Sequence, residues 1–211
     1  MFLFTKGGEL IQWEWFGFYD PDRIELPPGR IWQTWDTAHT VKQTSDYSVG
    51  MTFLLAKHHI YLLDVYRKRM LYPELKEKVI ELAYHHDTFM IIIEGTNAGI
   101  DLRNQIFFET RLPIHYDRPK TDKVARMLPC TSLIESGRVL LPVNAAWLPE
   151  FKREIVHFPY GKHDDQVDAL SLLLKNVMRR YLKSPTSSTN PSSGGPAPTF
   201  TANDVFTMPI Y

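Results

Sequence analysis

The chain has 211 residues, 44% of them hydrophobic and 23% charged, and 24 Lys and Arg balance 24 Asp and Glu to a formal net charge of zero. That length suits one α/β domain with a sizeable core; the balanced charge excludes a polycation, so any nucleic-acid contact has to come from a local basic patch. The single Cys130 excludes an intrachain disulfide, no Cys/His cluster has zinc spacing, and no apolar run nears the roughly 18 residues of a membrane span, which together point to a soluble intracellular protein.

Residues 1–29 are rich in aromatics (Trp13, Trp15, Phe16, Phe18, Tyr19) and end in the breaker Pro27-Pro28-Gly29, which marks an N-terminal segment without evident site chemistry. Residues 30–38 read as a strand of β-branched and aromatic residues carrying one acid, Asp36, where a core-facing strand does not ordinarily place a charge. Two apolar runs, 47–56 and 60–66, are separated by Lys57, His58 and His59 and predict a hairpin whose turn lacks Gly and Asn. Asp46, just ahead of it, is expected to hold the loop at 45–48.

Pro73, followed by apolar Leu75, Val79, Ile80, Leu82 and Ala83, predicts an amphipathic helix with proline in its first turn. The continuous apolar run 89–93 predicts a central strand covered on both faces. It ends in Glu94, a second acid at the carboxyl end of a strand. Gly95, Asn97 and Gly99 fit a tight turn into a helix over 100–110. A short strand at 113–116 leads to Lys120, Lys123 and Arg126, three cations spaced to share one helical face. A strand at 137–141 and a helix at 147–155 follow.

Gly161-Lys162-His163-Asp164-Asp165-Gln166-Val167-Asp168 then opens a long helix, predicted to start within 163–165, whose apolar residues run through Leu170, Leu172, Leu173, Leu174, Val177 and Met178. Carboxylates three and four residues apart share a helix face and repel one another. A helix N-terminus offsets only about 0.3–1 kcal/mol of this per acid, whereas a divalent cation between the acids accounts for the grouping. If the strands that end at Asp36 and Glu94 lie side by side under this helix, Asp36, Glu94, Asp165 and Asp168 meet at one point. An all-oxygen set of that kind suits two hard divalent ions, Mg2+ above all, poised for phosphoryl chemistry. Asp36 is expected to bridge the ions, Glu94 and Asp165 to complete one side each, and Asp168 to add a ligand or stand behind them. From residue 184 the sequence turns to Pro, Ser, Thr and Gly and reads as a disordered tail.

These residues resemble the nuclease domain of the large subunit of tailed-bacteriophage terminases, which has an RNase H-like fold. The resemblance is carried by Trp-Asp-Thr-Ala at 35–38, Asp-Tyr-Ser at 46–48, Ile-Glu-Gly with a following Gly99 at 93–99, the cations of 120–126, Glu-Ser-Gly-Arg-Val with Pro142 at 135–142, and His-Asp-Asp-Gln-Val-Asp-Ala at 163–169. It implies an α/β fold, a mixed sheet of five or more strands with the first three antiparallel, flanked by helices over 30–183, between the segment 1–29 and the tail 184–211. It implies a metal-dependent DNA endonuclease that cuts concatemeric viral DNA during genome packaging in the host cytoplasm. The catalytic residues would be Asp36, Glu94 and Asp165, with Asp164 and Asp168 completing the ligands of two Mg2+ or Mn2+ ions. The expected partners are double-stranded DNA, a packaging ATPase, a portal and a small terminase subunit, with no membrane.

Lys120, Lys123 and Arg126 are expected to contact DNA phosphates, and His163 and Asn97 to stand behind the ligands. The chain carries no Gly-x-x-x-x-Gly-Lys-Ser/Thr motif, so the ATPase is expected elsewhere. Two rivals share the same residues: a Holliday-junction resolvase-like nuclease, and a non-catalytic packaging module in which the acids are structural.

Overall fold

Seven apolar stretches become strands: β1 (Gly17–Tyr19), β2 (Arg30–Asp36), β3 (Ser48–Ala56), β4 (His59–Lys68), β5 (Met90–Glu94), β6 (Ile114–Asp117) and β7 (Val139–Pro142). The computed structural model describes residues 10–37, 47–95 and 97–182; Asp46 and the 184–211 tail lie outside them. One mixed sheet has the order β1-β7-β4-β3-β2-β5-β6. As expected, β2, β3 and β4 are antiparallel, while β5 and β6 continue from β2 in parallel. The β3–β4 turn closes through Lys57 at φ 50°, so a lysine takes the left-handed conformation that glycine more often supplies. The described part of the aromatic entry segment adds the outermost strand beside β7: β1 pairs with it in parallel, and Phe16 and Tyr19 are buried.

Helices cover both faces. On one side lie α1 (Tyr72–His85) and α2 (Asn97–Thr110), whose Leu75, Val79, Ala83, Leu102 and Ile106 pack on Trp35, Ile91 and Ile93. On the other lie α3 (Lys123–Met127), α4 (Thr131–Glu135), α5 (Leu148–His157) and α6 (Asp165–Leu182), which share a core with Trp32, Met51, Phe53, Met90 and Ile92. Fully buried side chains of this size each stabilise the fold by about 1.5–3 kcal/mol relative to exposure, and the continuous run in β5 reflects a strand covered on both faces.

Two boundaries differ from expectation for identifiable reasons. Helix α2 begins at Asn97 rather than near residue 100, because Gly99 lets its first turn lie against the end of β5; a Cβ there would sit 2.1 Å from the Glu94 carbonyl oxygen. Helix α3 begins only at Lys123, because the Asp122 side chain accepts the Ala125 N–H at 2.9 Å and caps it. Lys120 therefore lies outside the helix, and the three cations do not form one helical face. Among the described residues no helix is long and apolar enough to cross a membrane.

Candidate metal centre

Strand alternation decides where the acids point. Side chains two apart share a face, so Trp32, Thr34 and Asp36 of β2 face α6, as do Met90, Ile92 and Glu94 of β5. Trp35, Ile91 and Ile93 face α1 and α2. Trp35 pairs with Ile93 in the parallel β2–β5 ladder, which brings Asp36 and Glu94 together at the carboxyl ends of adjacent strands. Helix α6 is clamped across them: the Thr34 hydroxyl donates to the Ala169 carbonyl at 2.8 Å, and Lys175 Nζ and Asn176 Nδ2 donate to Asp117 at 3.1 and 2.8 Å. Its first turn thereby delivers Asp165 and Asp168 over the strand ends.

A cavity of about 300 Å³ results, lined by Asp36, Tyr47, Glu94, Asp165 and Asp168 together with Lys123 and Arg126. The electrostatics are those of acids forced together. Burial, then the Glu94, Asp168 and Asp165 carboxylates, push Asp36 well above the usual carboxylate range. Burial raises Asp165 although Arg67 pulls it down, and it pushes Asp168 up to about 6 against Arg126 and Lys123. Acids that resist ionisation together, with oxygen donors throughout, are the chemistry that a hard divalent cation relieves. The residues present therefore fit such an ion. In this geometry, however, no three described carboxylates converge on one point as coordinating groups. They turn toward cations of the protein instead. Arg126 Nη1 lies 2.6 Å from Glu94 Oε1 and its Nη2 2.7 Å from Asp168 Oδ1, while Lys123 Nζ lies 2.6 Å from Asp164 Oδ1 and 3.1 Å from Asp168 Oδ2.

Of the residues singled out in the sequence, Asp36, Glu94, Asp165 and Asp168 are brought together, and Lys123 and Arg126 join them. Asp164 stands at the rim: its side chain pairs with Lys123, and its carbonyl accepts the Asp168 N–H at 2.9 Å. His163 meets the Tyr47 ring edge-on at 5.8 Å beside the cavity. Asn97 opens α2, is exposed and does not line the cavity, because α2 leaves the strand end on the opposite face of the sheet. Lys120 is exposed and lies outside the cavity lining.

Two further residues shape the site. Glu154 of α5 is buried and accepts both the Gln166 backbone N–H at 2.9 Å and its side-chain amide at 2.8 Å, which fixes the start of α6. Arg67 of β4 lies 3.3 Å from Glu154 Oε1 and 3.7 Å from Asp165 Oδ2, and its guanidinium stacks 3.5 Å from the Tyr47 ring centroid. Glu154 does carry a signal, a charge three residues after Phe151 and beside Ile155 on the apolar side of the helix pattern, whereas Arg67 sits without one in the basic run Arg67-Lys68-Arg69.

A seven-stranded mixed sheet with acids at the carboxyl ends of two central strands, answered by acids on a final helix, defines an RNase H-like fold with a candidate metal centre. The model of the terminase RNase H-like domain matches residues 33–176, well over half of the chain, and the chain belongs to that family. No curated protein matches it. Among solved structures, the large terminase of a thermophilic bacteriophage aligns with a TM-score of 0.60 at 14% identity over 80% of this chain and 43% of its own. The large terminase nuclease of thermophilic phage G20c aligns with TM-scores of 0.57 with bound magnesium and 0.58 with bound cobalt, each at 15% identity. Those matches cover 76% and 79% of this chain, and 93% and 96% of the nuclease. The chain thus spans less than half the length of the first of these terminases.

Proposed function

We propose that the chain is the metal-dependent DNA endonuclease of a phage terminase large subunit, acting in the host cytoplasm on concatemeric viral DNA during packaging. The observation that carries this reading is that Asp36, Glu94, Asp165 and Asp168, all within the residues that the family match covers, line one cavity between β2, β5 and α6. Two divalent cations, Mg2+ or Mn2+, would supply charge neutralisation and an activated water for in-line displacement at phosphorus, without a covalent enzyme intermediate. The chain's own residues hold and orient the site. Asp36, which faces the three other acids, would be the central ligand of the set; Glu94 and Asp165 would complete it, and Asp164 and Asp168 would support them. Arg67 and Glu154 fix Asp165 and the helix start that bears it. Lys123 and Arg126 at the cavity wall, with Lys120 outside it, present cations to the DNA backbone, which predicts salt-dependent and largely sequence-independent binding.

The partners of this reading are duplex DNA, a packaging ATPase, a portal and a small terminase subunit. The bound magnesium and cobalt of the G20c nuclease support divalent-metal use. The test compares cleavage of linear duplex and of a four-way junction by the wild type and Asp165→Ala. Metal-dependent cutting of duplex without junction preference, lost in the variant, is expected. Preference for the junction would transfer the assignment to a resolvase, and undiminished cutting by Asp165→Ala would refute the site.

A further inference from the structure

Arg126 stands where the ligand set of the metal would have to close. Its guanidinium spans Glu94 and Asp168 at 2.6 and 2.7 Å, its side chain is 9% exposed, and its Nε–H has no hydrogen-bond partner among the described residues. The fork is therefore held chiefly by the two carboxylates rather than by the surrounding scaffold. Burial alone would lower its proton affinity, yet Asp168 and Glu94 more than reverse this. Lys123 makes the same kind of contact one turn earlier, with Asp164 and Asp168.

A carboxylate oxygen engaged by a guanidinium at 2.6–2.7 Å is not free to ligate a divalent ion, and a cation of charge two placed between Glu94 and Asp168 repels the guanidinium that bridges them. The planar fork of arginine has one other natural partner of matching geometry, a phosphate. We propose that Arg126 is a positioning residue that exchanges between the Glu94–Asp168 pair and a phosphate of the DNA backbone, so that divalent-ion binding at those carboxylates and DNA binding strengthen each other. In the free protein Arg126 competes with the metal; on DNA it moves to the phosphate and leaves the acids to the ion. Linkage then requires that whatever factor DNA contributes to metal affinity, the metal contributes to DNA affinity. A nuclease built this way loads its full metal set only where a backbone lies in the site. The inference rests on the metal-nuclease reading above and adds to it the source of metal loading.

The test has two arms, neither of which reads cleavage. In the first, Mn2+ is titrated calorimetrically into the full chain without DNA, for the wild type, Arg126→Gln and Arg126→Lys, with thermal melts confirming that each is folded. Arg126→Gln should bind Mn2+ tighter by roughly 5- to 150-fold, the usual span of coupling between sites, and Arg126→Lys, which keeps the charge, should stay within a few-fold of the wild type. Equal or weaker binding by Arg126→Gln overturns the proposal and leaves the metal-nuclease reading standing; failure of every form to bind Mn2+ overturns both. The second arm uses only the wild type and so survives a variant that does not fold. Fluorescence anisotropy of a labelled short duplex is measured with Ca2+ or with EDTA at matched ionic strength. Tightening by Ca2+ is expected, although divalent ions ordinarily weaken phosphate contacts by screening; unchanged or weaker binding overturns the coupling.

Discussion

Asp168 offers a quantitative handle on the site. It is 6% exposed, and burial pushes its carboxyl up to about 6 from an ordinary 3.8, against the pull of Arg126 and Lys123. A folded-state value above the unfolded one means that the native protein binds the extra proton. Its stabilising contribution is therefore complete below the unfolded value and is lost as pH rises through about 6. At about 1.4 kcal/mol per pH unit, the gap is worth about 3 kcal/mol. In Asp168→Asn this dependence disappears. The histidines lowered by burial, His59 and His86, act in the opposite direction and cancel in the difference between the two proteins. Unfolding in EDTA at pH 4 and pH 7 should therefore show the wild type losing roughly 2–3 kcal/mol relative to the variant across that interval, a relative midpoint change of about 5–10 °C for a chain of this size. Saturating Mg2+ should remove most of the swing, because the ion takes the place of the proton. A difference that stays flat, or moves toward the wild type as pH rises, would show that the acids are not in conflict and would remove the electrostatic basis of the metal centre.

Glu154→Ala should lower the urea midpoint by an amount equivalent to about 1–3 kcal/mol at unchanged m-value, because it orphans the buried Gln166 N–H and one partner of Arg67. Gly99→Ala places a methyl 2.1 Å from the Glu94 carbonyl oxygen; a loss of about 1–3 kcal/mol in chemical denaturation is expected, with a fall in cleavage rate as the strand end that carries Glu94 shifts. Cys130 is fully buried, and burial pushes its thiol up to about 12, so a thiol reagent should label it only at the rate of unfolding, and rapid labelling of the native protein would contradict its placement.

The elements that place the site were legible because each carries a charge where the pattern forbids one. Asp36 ends a strand of aromatic and β-branched residues, Glu94 ends an uninterrupted apolar run, and Asp165 and Asp168 open a long helix whose apolar residues run from Val167 to Met178. Period-two alternation then places the first two acids on the face that α6 covers. The cations were less legible. A three-residue spacing shows that Lys120, Lys123 and Arg126 can share a helix face, but Asp122 sets the helix start, and tertiary packing turns Lys123 and Arg126 inward onto acids distant in sequence. Arg67 was hidden for a related reason, since it looks like an ordinary solvated charge until α5, β4 and α6 pack together, whereas Glu154 shares a helix face with Phe151 and Ile155 and was open to notice. Asn97, read beside Glu94 in sequence, leaves the site because α2 covers the other face. The short α4 and the edge strand β1 have too few residues for periodicity to register.

The central claim is that Asp36 organises a metal-dependent phosphodiesterase centre. It is tested most directly by incubating supercoiled plasmid with the purified wild-type chain and Asp36→Asn, each with Mn2+, Mg2+ or EDTA. Nicking and linearisation by the wild type that require the metal, with none above background from a folded Asp36→Asn, are predicted. Cleavage by Asp36→Asn at the wild-type rate, or cleavage by the wild type that persists in EDTA, would contradict the account.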